Sequence, residues 1–343
     1  PLAQLFAQLS TVLAERLAPY ADQTLAPFAS AVLALDATTL DPVARMLPEL
    51  RPLPPGDRQL LPGRLNALFD LRLQQWRTVV HQDDPMQNEK VVAWDLLADL
   101  PPGCLLVADL GYFGFAWFDE LTARGYWWVS RLRAKTSTTL IHAYYDDGRT
   151  FDGLVWLGAH RADRAAHAVR LVRFQVGATT YQYLTNVLDP PHLPIRDIAR
   201  LYARRWDIEL AFKTLKRELG LHLLWSAKPT VILQQVWAVL LIAQILQALR
   251  LEIAGRAGVD PFEVSLHLLV VYLPQYAYTG QDPVAEFVAH GRELRFIRPS
   301  TRTVIQAPDL PHDQLVFPPP ALELTRTPRY AARKGTLHQP TPK

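Results

Sequence analysis

Five residues able to bind or move charge recur at helical spacing between Leu201 and His222: Tyr202, Arg205, Glu209, Lys213 and Lys216. At 3.6 residues per turn they make one stripe, and Leu201, Ile208, Phe212, Leu215 and Leu219 make an apolar stripe roughly 100° away. The pattern predicts a single helix with a buried face and one carboxylate held among three cations and a phenol along its rim. Two further acids end apolar runs. AVLAL (residues 31–35) leads into Asp36, and Leu105–Ala108 leads into Asp109. Both runs read as buried strands with a carboxylate at the C-terminal tip. Open α/β sheets present their chemistry at that end. Three carboxylates converging there would repel one another unless cations neutralise them. Hard divalent ions take oxygen ligands and leave positions for water and phosphate. The expected site therefore has Asp36, Asp109 and Glu209 holding two Mg²⁺ or Mn²⁺ ions, suited to in-line phosphoryl displacement.

Each residue also has a plainer reading. An Asp after a strand is often a turn or cap residue, and Asp41 and Asp70 are rivals to Asp36. Glu209 could be a surface ion pair with Arg205 or Lys213. Tyr202, Arg205 and Lys216 could simply buttress it. Arg131 and Arg133 follow a strand that should end near the site, where they either touch nucleic acid or are solvated. Tyr181 and Tyr183 share one face of a strand and could be a cross-strand packing pair. Trp206 reads as core.

The spacing Tyr202, Arg205, Glu209, Lys216 resembles the Y-R-E-K signature of the insertion-sequence-four family of DDE transposases, and RWDIELAFKTLK is similar to that family's RW-IE-F-LK block. The resemblance covers roughly residues 30 to 255. ALDATTL resembles the strand with the family's first Asp, with Ala37 where Gly is common. LLVADLGYF resembles its D-R-G-Y word, with Leu110 in the Arg position. The resemblance implies an α/β fold: a ribonuclease H-like mixed sheet flanked by helices, interrupted by a β-rich insertion before the helix of the catalytic Glu. It implies Mg²⁺-dependent nicking at insertion-sequence ends and joining of 3′-hydroxyls to target DNA. The catalytic and metal-holding residues would be Asp36, Asp109 and Glu209. Tyr202, Arg205, Lys213, Lys216 and Arg131 would contact DNA phosphates, which suits Arg forks and Lys point charges. Tyr181 would stack on a displaced base. The partners would be double-stranded DNA, as terminal repeats and as target, and a second copy of the chain in the synaptic complex. The setting would be the cytoplasm, on the nucleoid. The competing readings are a metal-dependent nuclease of the same fold and a catalytically silent DNA-binding relative.

Composition is compatible with this. The 343 residues suffice for one large domain or two ordinary ones, and 49% hydrophobic content supports a sizeable core. A net charge of +3 is compatible with nucleic acid without arguing for it. The single cysteine, Cys104, excludes a disulfide framework and reads as core. No basic stretch followed by an apolar run marks a signal peptide. Residues 231–249 are apolar, but Gln234, Gln235, Gln244 and Gln247 interrupt them, so a core helix is expected rather than a membrane span.

The elements that must position the site follow in order. Residues 2–18 predict an amphipathic helix, Arg51–Gly63 a loop, and Leu65–Val80 two strands. Met86–Leu100 and Ala116–Arg124 read as helices around the Asp109 strand, and Tyr126–Arg131 as a strand. Further helices are expected near 230–255 and 261–272. The organisation expected is an N-terminal helical segment (1–30), the first part of the core (31–134), the β-rich insertion (135–192), the rest of the core with the signature helix (193–275) and a C-terminal extension (276–343). The last stretch, Thr325–Lys343, carries Arg326, Arg329, Arg333, Lys334 and Lys343 without an acid, and is expected to be disordered.

Overall fold

Val32–Leu35 carry no polar side chain and all four are buried, which suits a strand covered on both faces. In a computed structural model describing residues 2–40, 44–45, 63–83, 89–158, 163–226, 228–300, 302 and 304–330, they begin strand β1 (Val32–Thr39). Asp41, most of the loop expected over Arg51–Gly63, and Arg333, Lys334 and Lys343 lie outside the described residues. The chain divides into two compact units. One comprises residues 1–22, 36–87 and 207–303, and the other 23–35, 88–206 and 304–343.

In the second unit, the first half of β1 runs parallel to β5 (Leu105–Ala108), and β5 runs parallel to β6 (Trp127–Arg131). Parallel neighbours need a crossover. Helix α3 (Phe115–Ala123) supplies it between β5 and β6, and α2 (Glu89–Leu97) precedes β5. Beyond β6 the pattern turns antiparallel. Strands β7 (Thr138–Asp146), β8 (Phe151–Leu157), β9 (Val169–Val176) and β10 (Thr179–Thr185) form a meander, and β10 pairs with β6. The order is β1-β5-β6-β10-β9-β8-β7, so the sheet is mixed and the class is α/β. Inside the meander Arg170 and Asp152 form a fully buried bidentate pair with both bonds at 2.6 Å, and Arg170 also donates to the Leu193 carbonyl at 2.7 Å. That carbonyl precedes helix α4 (Ile195–Arg204).

The C-terminal stretch departs from the expectation of disorder, as far as Tyr330. Val316 N–H donates to the Tyr144 carbonyl on edge strand β7, and Arg326 N–H to the Ala166 carbonyl. The Arg326 guanidinium donates to the carbonyls of Ala165 and Leu157 and lies over the Trp156 ring. Tyr330 Oη donates to Asp119, a buried acid that also accepts from the backbone N–H groups of Ala166 and His167. Backbone pairing and a buried acceptor thus order a stretch whose composition alone reads as a tail.

In the first unit, β3 (Arg64–Asp70) and β4 (Gln75–Gln82) form an antiparallel hairpin beside β1, in the order β4-β3-β1. The two strands expected in residues 65–80 are these. Strand β2 (Ala44–Arg45) pairs in parallel with β11 (Leu223–Leu224). The helices are α1 (Leu2–Leu17), α5 (Trp206–Lys213), which enters this unit at Asp207, α6 (Pro229–Ala257), α7 (Leu266–Thr279) and α8 (Pro283–His290). The helix expected at 261–272 begins later, at Leu266. Pro261–Glu263 instead form a 3₁₀ turn capped by Asp260, and Ser265 caps α7.

Helix α6 is long and apolar enough to cross a membrane by length and composition. Here it packs against α1, α7, α8 and β4, and its polar residues Gln235, Gln244, Gln247, Arg250 and Glu252 are buried. Gln244 shows why. Trp76 N–H donates to its Oε1, and its Nε2 donates to the Trp76 carbonyl, each at 2.9 Å. The side-chain amide thereby stands in for a neighbouring strand along β4. Gln244→Leu keeps the bulk and strands a buried peptide N–H and C=O, so unfolding free energy should fall by about 1–3 kcal/mol. Urea titration measures this. A midpoint equal to wild type would mean that the Trp76 peptide is satisfied without Gln244.

Candidate active site

The parallel register pairs Leu35 with Ala108. The next residue in each chain is an aspartate: Asp109 follows the end of β5, as expected, whereas Asp36 lies inside β1, which runs on to Thr39 instead of ending at Leu35. Both are half-buried. Asp36 Oδ1 accepts the Ala37 N–H at 2.8 Å. Asp109 caps the 3₁₀ turn Leu110–Tyr112, its Oδ1 accepting the Gly111 N–H at 2.7 Å. A Cβ on residue 111 would stand 2.8 Å from that oxygen, so the glycine is what lets the backbone approach the carboxylate. Two cations hold the turn from outside. Arg133 donates to the Leu110 carbonyl at 2.8 Å and lies 4.8 Å from the Phe113 ring centre, and Lys90 donates to the Phe113 carbonyl. Arg133 is therefore a support for the Asp109 turn.

Around this end of the second unit stands a cationic and aromatic group. Burial raises the Tyr202 phenol above its ordinary range. The Arg205 and Arg131 guanidinium groups oppose that shift, and the Asp109 carboxylate adds to it. Arg205 is buried, 5.9 Å from the Tyr202 ring centre and 5.1 Å from that of Trp206, whereas Arg131 is exposed. The Tyr183 ring lies 5.1 Å from that of Tyr202. Tyr181, half-buried, stacks on its cross-strand partner Phe174 at 5.3 Å and neighbours Tyr183 at 6.3 Å. These aromatics form a ladder running from the insertion strands to α4.

The signature stretch is not one helix. α4 ends at Arg204, Arg205 lies in a turn, α5 restarts at Trp206, and Thr214–Glu218 form a π-helical turn closed by Leu219 N–H to the Thr214 carbonyl. The restart sets the burial of α5: Asp207, Ile208, Ala211 and Phe212 face inward. Trp206, expected in the core, is 56% exposed, with Leu210 on the same outer side. Glu209 is half-buried on α5 and Lys213 is exposed. The π turn advances the chain by more than the α-period, which takes Lys216 off the expected stripe. Its ammonium donates to Thr38 Oγ1 at 2.8 Å and to the Thr39 carbonyl at 2.6 Å, and burial lowers its pKa. Within the first unit Lys216 thus clamps the exit of the strand that carries Asp36.

Of the rivals, Asp70 is buried and its Oδ1 accepts from the backbone N–H groups of Arg72 and Leu73. Burial pushes its pKa up while those bonds pull it down. It is the cap of the β3–β4 turn. Among the described residues no three His, Cys, Asp or Glu side chains form a group that could hold a metal ion. Sequence reasoning missed Thr38, Asp207 and Gln74. The last two meet across 133 positions, and no local pattern signals that.

Comparison with known proteins gives a family. The family model described as a transposase DDE domain matches residues 30–245. Among solved structures, the chain is similar to a piggyBac transposase in a synaptic complex with hairpin DNA, at 10% identity and a TM-score of 0.42. The match covers 83% of this chain and 60% of that one, so the chain spans under two thirds of that protein's length. No curated protein matches the sequence.

Lys216→Met tests the clamp. It removes both donated bonds while keeping the stem. Losing hydrogen bonds from a charged donor should raise hydrogen exchange at the Leu40 amide at least roughly tenfold. Exchange at the wild-type rate would mean that the β1 exit is held by other groups.

Proposed function

The chain belongs to the transposase DDE domain family, and from that premise we propose that it nicks DNA at insertion-sequence ends and joins the freed 3′-hydroxyls to target DNA. The observation that carries the reading is the register of β1 with β5, after which each strand continues into an aspartate, Asp36 or Asp109. The strand order, with parallel β1, β5 and β6, is the arrangement expected of a ribonuclease H-like core. The spacing Tyr202, Arg205, Glu209, Lys216 favours the insertion-sequence-four group.

Asp36, Asp109 and Glu209 would hold two Mg²⁺ or Mn²⁺ ions. The donor types fit, since carboxylate oxygens are the hard ligands these ions take, while no metal-holding group of three is preformed among the described residues. When bound, such a pair lowers the pKa of the attacking water or hydroxyl and steadies the leaving oxygen. The protein's own part is binding and orientation. Arg205 and Tyr202 present a buried guanidinium and phenol, and the exposed cations Arg131 and Lys213 meet phosphates on the element end. Lys216 has a third N–H to offer phosphate besides the two that hold β1. Tyr181, at the exposed end of the aromatic ladder, is the stacking surface for a displaced base. The working assembly is a homodimer bridging two element ends on double-stranded DNA, acting on the nucleoid in the cytoplasm.

Glu209→Gln keeps the shape of the side chain and removes its charge. Element-end binding should stay near wild type while nicking in Mg²⁺ falls at least roughly a hundredfold, a few kcal/mol of barrier. A folded variant that nicks at the wild-type rate would remove Glu209 from the site. Separately, Arg205→Ala should weaken binding and lower the slope of log affinity against log salt by about one unit. An unchanged slope would make Arg205 an internal support. A strand-transfer assay with pre-nicked ends separates the transposase from a nuclease of the same fold.

A further inference from the structure

The β3–β4 turn contains a residue that turn chemistry does not favour. Gln74 has φ +53°, the left-handed region that Gly occupies without strain, and it is 1% exposed. Its carboxamide is fully engaged. Nε2 donates to Asp207 Oδ2 and to the Leu71 carbonyl, both at 3.0 Å, and Oε1 accepts from Arg250 Nη2 on α6 at 3.2 Å. Asp207 is 2% exposed and sits in the first turn of α5. Arg302 Nη2 approaches its other oxygen at 3.6 Å. Phe262 lies under both cations, its ring centre 4.6 Å from the Arg250 guanidinium and 3.7 Å from that of Arg302. A buried acid, a buried amide and two guanidinium groups thus meet at one point on the inner side of α5.

We propose that Gln74 and Asp207 are positioning residues that fix the rotation of α5 and thereby the direction in which Glu209 points. The inference rests on the reading of Glu209 as a metal-holding carboxylate. Asp207 and Glu209 are two residues apart on one helix, roughly 200° in angle. Pinning Asp207 inward therefore turns Glu209 to the other side, and it adds a directional bond to the apolar face of Ile208, Ala211 and Phe212, which by itself tolerates some rotation of a short helix. A side chain has to matter at position 74, because Gly would satisfy the turn at less strain. A glutamine reaches both Asp207 and Arg250, so the hairpin turn, α5 and α6 share one amide.

The test uses the full chain and compares wild type, Glu209→Gln, Gln74→Gly and Asp207→Asn. Gln74→Gly relieves the backbone but takes a partner from the buried Asp207 and Arg250, so its urea midpoint should fall, and exchange in α5 is read relative to that in α6. Hydrogen exchange over residues 208–212 needs neither DNA nor metal, and should rise at least roughly tenfold relative to the α6 amides in Gln74→Gly. Element-end DNA should bind within about twofold of wild type, nicking should fall at least roughly tenfold, and the Mn²⁺ concentration for half-maximal nicking should rise. Should Gln74→Gly fail to fold, Asp207→Asn carries the same comparison. Wild-type exchange in α5, or wild-type nicking with unchanged Mn²⁺ dependence, in a folded variant overturns the proposal. A wild-type chain that does not nick, with α5 exchange still raised in Gln74→Gly, would refute the transposase reading and retain the link between Gln74 and α5.

Discussion

Parallel pairing of β1 with β5 is the constraint on which the site depends. Strands buried on both faces spend their peptide groups on the ladder and leave no room for a polar side chain. Val32–Leu35 and Leu105–Ala108 obey this without exception. Asp36 and Asp109 stand at the first positions after the residues that pair β1 with β5. The surrounding bonds hold those exits in place: Gly111 and Arg133 at the Asp109 turn, and Lys216 at Thr38 and Thr39.

A second theme is the use of buried polar side chains to join segments far apart in sequence. Gln244 completes the peptide of Trp76, Asp119 gathers the backbone of Ala166 and His167 with the Tyr330 hydroxyl, and Arg170 ties Asp152 to the Leu193 carbonyl. Each would be costly if half-satisfied, since a buried donor or acceptor without a partner loses its hydration for nothing. Satisfied, each admits few alternative arrangements, and that specificity is what an apolar contact would not supply. The Arg170 bond reaches the entry to α4, so the strands of the meander help to place Tyr202.

Much of the site was legible because its signals are local. Apolar runs of strand length, acids directly after them, and the spacing of Tyr202, Arg205 and Glu209 all report burial through short-range period. The two strands in residues 65–80 were legible for the same reason. Trp206 was misread because a helical wheel assumes an unbroken helix, and the turn at Arg205 resets the phase. Thr325–Tyr330 were misread because their composition lacks a core of its own, while their partners, Ala166, Leu157 and Asp119, lie far upstream.

The sequence by itself determined which residues could carry the chemistry: an aspartate after each of two apolar runs, a helix glutamate, and the cations and phenol spaced around it. It could do so because strand and helix periods are properties of neighbouring residues. Only the tertiary structure decided how those residues are held. The π turn that brings Lys216 to Thr38, the left-handed Gln74 that meets Asp207, and the amide of Gln244 on β4 all depend on which polar groups remain unsatisfied once distant segments have packed. No window of sequence contains that information, because the partners of each bond meet only when distant segments have packed.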